Sequence, residues 1–209
     1  GGGGGGAPGG AAGGGRPARR TPTGPGAPPT GGAPLRSCTL TAMNILIRPA
    51  EPADYERLGN ITAKAYLDDG LLAFGDEDDW YLTELKDVAK RAKTAEVLVA
   101  TENDHLLGGV TYVPSGGPLA ELARPGEAEI RMLAVSHEAR GKGVGQALVQ
   151  ACVDRAAAAG TGIVLCTQPT MHTAHRIYER LGFTRAPERD WHPVPDSPDF
   201  TLLTYQLTL

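Results

Sequence analysis

The segment "EARGKGVGQA" (138–147) places Gly141, Gly143 and Gly145 on alternate positions beside Arg140 and Lys142, directly ahead of a run with helical spacing. Glycine within a helix costs about 1 kcal/mol against alanine, so three of them on a first turn call for a reason. The first N–H groups of a helix have no partner within it, and the helix dipole adds positive potential there. Backbone without Cβ atoms lets an anion approach those groups, and Arg140 and Lys142 add charge at the same place. The segment therefore reads as a phosphate-binding turn. The competing reading is a flexible turn before an ordinary amphipathic helix, with Val144, Ala147, Leu148, Ala151 and Cys152 on its core side.

Two common phosphate loops do not fit. A Walker loop needs its lysine after the last glycine and a Ser or Thr next, whereas Lys142 precedes Gly143 and Val144. A dinucleotide-binding G-x-G-x-x-G beginning at Gly141 needs glycine where Gln146 stands, and it belongs after the first strand of a domain, not in the middle.

Outward from the loop, "GEAEIRMLAVS" (126–136) predicts a strand before it, and "GVGQALVQACVDRAAAAG" (143–160) a helix after it. "GIVLCTQ" (162–168) is a strand, "HTAHRIYERLG" (172–182) a helix, and "GFTRAP" and "FTLLTYQLTL" are two closing strands. Upstream, "ILIRPA" (45–50) reads as a strand and 50–67 as a helix, with Tyr55, Leu58, Ile61, Thr62 and Ala65 at helical spacing. A second helix is expected from about Asp78, and "AEVLVATENDHLLGGVTYVP" is a hairpin turning at Asn103 and Asp104. The order β-α-α-β-β-β-α-β-α-β-β predicts an α/β chain of the α+β kind. Its centre is a mixed, mostly antiparallel sheet flanked by helices.

Composition bounds the rest. Residues 1–42 are largely Gly, Pro and Ala, with too little apolar surface to offset the entropy of ordering, and are expected to be a disordered tail. Met43 stands just before the first strand and is read as the natural start, which leaves 43–209 as the folded domain. The tail holds four of the 20 basic residues (Arg16, Arg19, Arg20, Arg36) and none of the 24 acidic ones, so the remainder carries a net charge of −8. That balance argues against a general nucleic-acid binder and suits a cationic partner better, the alternative being that the acidity serves only solubility. Neither a signal-peptide core nor a membrane-spanning run is present, so no membrane partner is expected. Cys38, Cys152 and Cys166 lack the spacing of a zinc site or a disulfide framework, so no metal is expected and a reducing cytoplasm is the default.

"EIRMLAVSHEARGKGVGQALV" followed by "AHRIYERLGF" resembles the GNAT superfamily of acetyl-CoA-dependent N-acetyltransferases. Arg140 to Gly145 match its R/Q-x-x-G-x-G/A pyrophosphate signature, and Tyr178 to Phe183 match its Y-x-x-L-G-F element. The resemblance covers about 45–209 and is strongest over 127–185. It implies a GNAT-type fold in which N–H groups of Arg140, Gly141, Lys142, Gly143, Val144 and Gly145 bind the coenzyme A pyrophosphate. Met132, Leu133, Ala134 and Val135 would pair with the pantetheine arm where the strands at 129–135 and 162–167 splay apart. A backbone amide near Leu133 would stabilise the thioester oxygen as it becomes an oxyanion.

An alkyl amine must lose a proton before it attacks. Glu129, at a place where the family often has a glutamate, is the expected base, with Glu127 in reserve; the alternative is an exposed strand carboxylate. Tyr178 matches the family's general-acid tyrosine for the departing thiolate, the alternative being a core tyrosine on the stripe Ala174, Ile177, Tyr178, Leu181. Met171 stands where many members carry asparagine, and His172 is a candidate relay in its place. The resemblance implies acceptor walls from "LDDGLLAFGDEDDWYL" (67–82), with Asp68, Asp69, Asp76, Glu77, Asp78 and Asp79 among Leu71, Leu72, Phe74, Trp80 and Tyr81; the stronger alternative is that the acids at 76–79 open the second helix and are solvated. Trp191 and His192 in "ERDWHPVPD" would form another wall.

The expected partners are acetyl-CoA, as co-substrate, and an amine acceptor, for a monomer or homodimer. The expected activity is acetylation of a small-molecule primary amine by direct attack in a ternary complex. A protein lysine or N-terminal acetyltransferase and a non-catalytic acyl-CoA sensor are the alternatives.

Overall fold

In the computed structural model, the described residues are 44–72, 80–193 and 200–209. The disordered reading of 1–42, the start at Met43, and the acceptor-wall reading of Phe74 and of the acids at 76–79 lie outside them. The described residues all fall within the unit 41–209.

Strand β1 (Leu46–Pro49) ends at its proline, and a 3-10 turn over Pro52–Asp54 leads into α1 (Tyr55–Asp68). Asp54 fixes this corner. Its carboxylate takes both Arg48 guanidinium nitrogens, at 2.6 and 3.0 Å, and the Glu51 N–H at 2.8 Å. Leu58, Thr62 and Ala65 of the expected stripe on α1 are buried.

The single second helix expected from about Asp78 is instead two short ones, α2 (Trp80–Lys86) and α3 (Val88–Arg91). Asp87 makes the break. It leaves helical geometry and accepts the Lys90 N–H at 2.9 Å as the N-cap of α3. Arg91 then folds back, buried, and donates to the carbonyls of Glu84 and Leu85, which the end of α2 would otherwise leave unpaired.

Strands β2 (Glu96–Glu102) and β3 (His105–Val113) form the expected hairpin, with Asn103 and Asp104 at φ 48° and 63° as its two-residue turn. The remaining elements are β4 (Glu127–Val135), α4 (Val144–Ala159), β5 (Gly162–Thr167), α5 (His172–Arg180), β6 (Thr184–Arg185) and β7 (Leu203–Leu207). The seven strands form one sheet in the order β1-β2-β3-β4-β5-β7-β6, antiparallel except for β4 and β5.

Both faces are covered, as strand periodicity demands. Leu98, Val110, Ile130, Ile163 and Leu165 pack under Leu148 and Cys152 of α4 and Tyr178 of α5. On the other face Val97 and Val99 pack against Leu58 of α1 and Val88 of α3.

One irregularity shapes everything downstream. Gly109 pairs with Ala134 and Thr111 with Arg131, so β4 spends one more residue than β3 over that interval, and Met132 takes φ 52°. Such a bulge bends its strand. On its other side β4 pairs with β5 only from Glu127–Gly162 to Ile130–Leu165. Beyond that point β4 continues with β3 to Val135, while β5 continues with β7 to Thr167, and a gap opens between the two parallel strands.

Candidate active site

The glycine loop lies at the end of β4. Helix α4 begins at Val144, so Gly141 and Gly143 precede the helix and only Gly145 is in its first turn, a correction to the expected placement of all three there. Gly141 and Gly143 have φ of 75° and 84°, and a Cβ built on either meets nothing within 4 Å. The left-handed backbone explains the glycines locally, and the open space above them is a cradle that a side chain would fill. No side chain caps α4, and its first bond runs from the Ala147 N–H to the Gly143 carbonyl. The N–H groups of Val144, Gly145 and Gln146 therefore lack partners within the helix. Gly145 serves packing instead: its Cβ position lies 3.6 and 3.7 Å from Ile177 and Val135.

Of the two basic residues, Lys142 is exposed, whereas Arg140 makes a two-point ion pair with Asp69 at the end of α1, both contacts 2.8 Å. Two residues on, the Leu71 carbonyl accepts from Gln168 Nε2 at 2.8 Å, just past β5. The stretch 69–71 is thus tied on one side to the glycine loop and on the other to the end of β5.

At the gap between β4 and β5 lies a cavity of about 510 Å³. Its strand walls are Ile130 to Leu133 of β4 and Leu165 to Thr167 of β5, the residues at and beyond the last β4–β5 pair. Tyr66, Leu71, Trp80 and Tyr81 close it on the α1 and α2 side, and Trp191, Phe200 and Leu202 from the chain before β7.

Tyr178 of α5 lines this cavity, is 4% exposed, and packs its ring 5.7 Å from Tyr205 and 6.0 Å from Phe183. Burial, with the Cys166 sulfur nearby, pushes its phenol well up, so it holds its proton at neutral pH. Burial likewise raises Tyr66 and Tyr81, and it moves the Cys166 thiol up to about 12. These groups are neutral at pH 7, so among the described residues the charges on the wall are Glu121 and Arg131.

Glu129 is 1% exposed and is not among the lining residues. Its Oε2 accepts the backbone N–H groups of Glu121, Leu122 and Ala123 at 2.9, 2.8 and 3.0 Å, while Oε1 faces Arg131 Nε at 3.9 Å. The side chain thus binds the segment ahead of β4 to the sheet. Glu127, the reserve, is paired twice with Arg189, at 2.9 and 2.8 Å. Burial works to raise its carboxyl; the Arg189 guanidinium and the Arg124 N–H outweigh that and hold it below the usual range.

Met171 lines the cavity and receives the Thr167 hydroxyl at 3.4 Å. His172 is exposed at the start of α5 and is not a lining residue, and His192 pairs with Thr201. Trp80, Tyr81 and Trp191 of the expected acceptor walls do line the cavity. Glu121, Arg131 and Gln168 were missed. Glu121 stands in a Pro- and Gly-rich stretch without periodicity, and the other two show no pattern until the strands are placed.

The sequence model of the acetyltransferase (GNAT) family matches residues 56–183. The chain belongs to this family. It is therefore an acyltransferase by family, with the seven-stranded mixed sheet of GNAT proteins. Among solved structures, yncA of Salmonella typhimurium, assigned as an acetyltransferase and solved with its cofactor acetyl-CoA, is similar at 22% identity with a TM-score of 0.58, over 79% of this chain and 94% of that one. An N-acetyltransferase from Staphylococcus aureus Mu50 is similar at 21% identity with a TM-score of 0.60, over 79% and 98%. A ribosomal-protein-alanine N-acetyltransferase from Brucella melitensis gives 22% and 0.59, over 78% and 99%. No curated protein sequence matches the chain. Acetyl-CoA is the co-substrate of GNAT enzymes, and the open loop at Gly141 and Gly143 suits its pyrophosphate. No group of metal-binding side chains occurs among the described residues, and no described helix is long and apolar enough to cross a membrane.

Proposed function

We propose that this GNAT protein transfers the acetyl group of acetyl-CoA to the primary amine of a small molecule, by direct attack in a ternary complex. The observation that carries the reading is the walled cavity at the β4–β5 gap. At about 510 Å³ it has the size of a small-molecule site, and its walls come from both sides of the sheet. An extended peptide fits an open groove better.

Acetyl-CoA supplies an activated thioester carbonyl, and the protein has to hold and polarise it. The N–H groups from Gly141 to Gly145, with Arg140 and Lys142 beside them, take the pyrophosphate. Main-chain groups of Met132 to Val135, left without β5 partners, take the pantetheine arm, and the amide near Leu133 faces the developing oxyanion. Tyr178, kept protonated by burial, donates to the departing sulfur. Glu129 has two tasks: Oε2 anchors the 121–123 segment, and Oε1 receives the amine's proton through water. A cytoplasmic setting, where acetyl-CoA is made and used, suits this reading.

Calorimetric titration of acetyl-CoA into the full chain, beside Gly143→Asp, tests it. Saturable binding that the added carboxylate abolishes is expected. No binding by the folded unmodified protein would remove the acetyltransferase activity from this chain.

A further inference from the structure

Among the described residues the cavity wall carries one anion and one cation, Glu121 and Arg131, and a second carboxylate, Glu129, faces Arg131 from behind the wall. Arg131 is the cation there, and its guanidinium is already enclosed: it donates to the Leu119 carbonyl at 2.6 Å, meets Glu121 Oε1 at 2.8 Å, and has Glu129 Oε1 at 3.9 Å. Two carboxylates thus face one guanidinium, a formal surplus of one negative charge. Of the two, Glu121 lines the cavity, and its side chain is 47% exposed. The hydrogen bonds that the backbone N–H groups of Glu121, Leu122 and Ala123 donate to Glu129 fix the backbone that carries it.

Apart from Thr167, Gln168 and the Cys166 thiol on the β5 side, the rest of the described wall is aromatic and apolar. Tyr66 and Trp80 each meet Tyr81 edge-on, with centroids at 6.1 and 5.5 Å, and Trp191 and Phe200 stand on the β7 side. Rings near one carboxylate favour a cation with an apolar body, through ring quadrupoles and burial together. A second anion brought by the ligand would have to displace Glu121 from Arg131 or lie beside an unpaired carboxylate.

Resting on the acetyltransferase reading, we propose that the acceptor is an amine carried on an aromatic or apolar body without a carboxylate, and that Glu121 receives and orients its ammonium group. Glu121 is the specificity-determining residue of the site. The group-transfer chemistry is unchanged by it: the ammonium gives up one proton through water toward Glu129 and on to solvent, the nitrogen's electron pair forms the C–N bond as the C–S bond breaks, Tyr178 protonates the departing sulfur, and the second proton lost from the nitrogen restores Tyr178 through water.

The test uses the full chain with acetyl-CoA and follows thiol release. Phenethylamine and tryptamine are compared with phenylalanine and tryptophan, which add only the carboxylate, and with a lysine-containing peptide. The amines are expected to exceed the matching amino acids by at least about tenfold in kcat/KM, about 1.4 kcal/mol. Glu121→Gln is expected to raise amine KM about tenfold or more with a smaller change in kcat, with Glu121→Asp recovering part of the loss and acetyl-CoA affinity unchanged by calorimetry. Equal or better use of the amino acids or the peptide, an unchanged KM in Glu121→Gln, or acetyl-CoA binding without turnover of either amine would overturn the proposal. Absence of acetyl-CoA binding in the unmodified chain would instead overturn the acetyltransferase reading beneath it.

Discussion

Tyr178 combines two properties that usually separate: it is a core residue by exposure and a cavity residue by position. Its raised phenol is protonated at neutral pH and so has a proton to give, while burial makes it a weaker acid than a free tyrosine. Replacing it with phenylalanine keeps the ring packing against Tyr205 and Phe183, so turnover should fall by roughly 10²-fold, within the range for general acids, while acetyl-CoA affinity is unchanged. Single-turnover kinetics beside calorimetry would show this; an unchanged rate removes Tyr178 from the chemistry. Glu129 is a different case. Glu129→Gln withdraws the charged acceptor from three part-buried N–H groups, and a loss of about 1 kcal/mol or more in unfolding free energy is expected from denaturant titration. The sequence singled out both residues, through motif order and strand position; Tyr178 lines the cavity and Glu129 stands behind its wall. It did not show that Glu129 holds a loop, because the three amides belong to a stretch without periodicity.

At the level of elements, the bulge at Met132 and the glycine loop do the positioning. The resemblance implies parted strands, and the strand register explains it physically: β4 follows β3 and β5 follows β7 after the Ile130–Leu165 pair. Helix periodicity read α1 and α4 well because each has a long buried stripe, and α5 because Ala174 and Ile177, half-buried, flank the buried Tyr178. It failed over 80–91, where one helix was expected and Asp87 makes two, since a capping side chain inside an apolar pattern leaves that pattern intact. Asp87→Ala should cost about 1 kcal/mol of stability, read by thermal unfolding, because the Lys90 N–H loses its acceptor. The ties Arg140–Asp69 and Gln168–Leu71 set a further expectation. Asp69→Asn should weaken the coupling between the two ligands, lowering by one and the same factor the effect of acetyl-CoA on acceptor affinity and of acceptor on acetyl-CoA affinity, read by calorimetry of each with and without the other.

For the molecule as a whole, the acid side of the stability profile follows from the ion-paired carboxyls. Hydrogen bonds from Arg48 hold Asp54 below the usual carboxylate range. Burial opposes the lowering at Glu127 and Asp190, where the partners Arg189 and Arg185 outweigh it. A carboxyl lowered in the folded state binds protons more readily when unfolded. Its stabilisation is complete above the unfolded value, near pH 4, and is lost as pH falls through the lower folded value. Urea midpoints should therefore hold steady from about pH 6 to 5 and fall steeply below about pH 4. The same burial keeps Cys152 and Cys166, both raised to about 12, unreactive toward alkylation at pH 8 while the chain is folded.

The chain contains two tryptophans, Trp80 and Trp191, and both line the cavity from opposite sides. Indole emission from this protein consequently originates wholly at the site where the acceptor is proposed to bind. A ligand entering there shifts or quenches the whole tryptophan signal, with no background from elsewhere in the chain. Unlabelled protein is in effect its own optical sensor, and a library of amines can be screened by fluorescence before any product is measured.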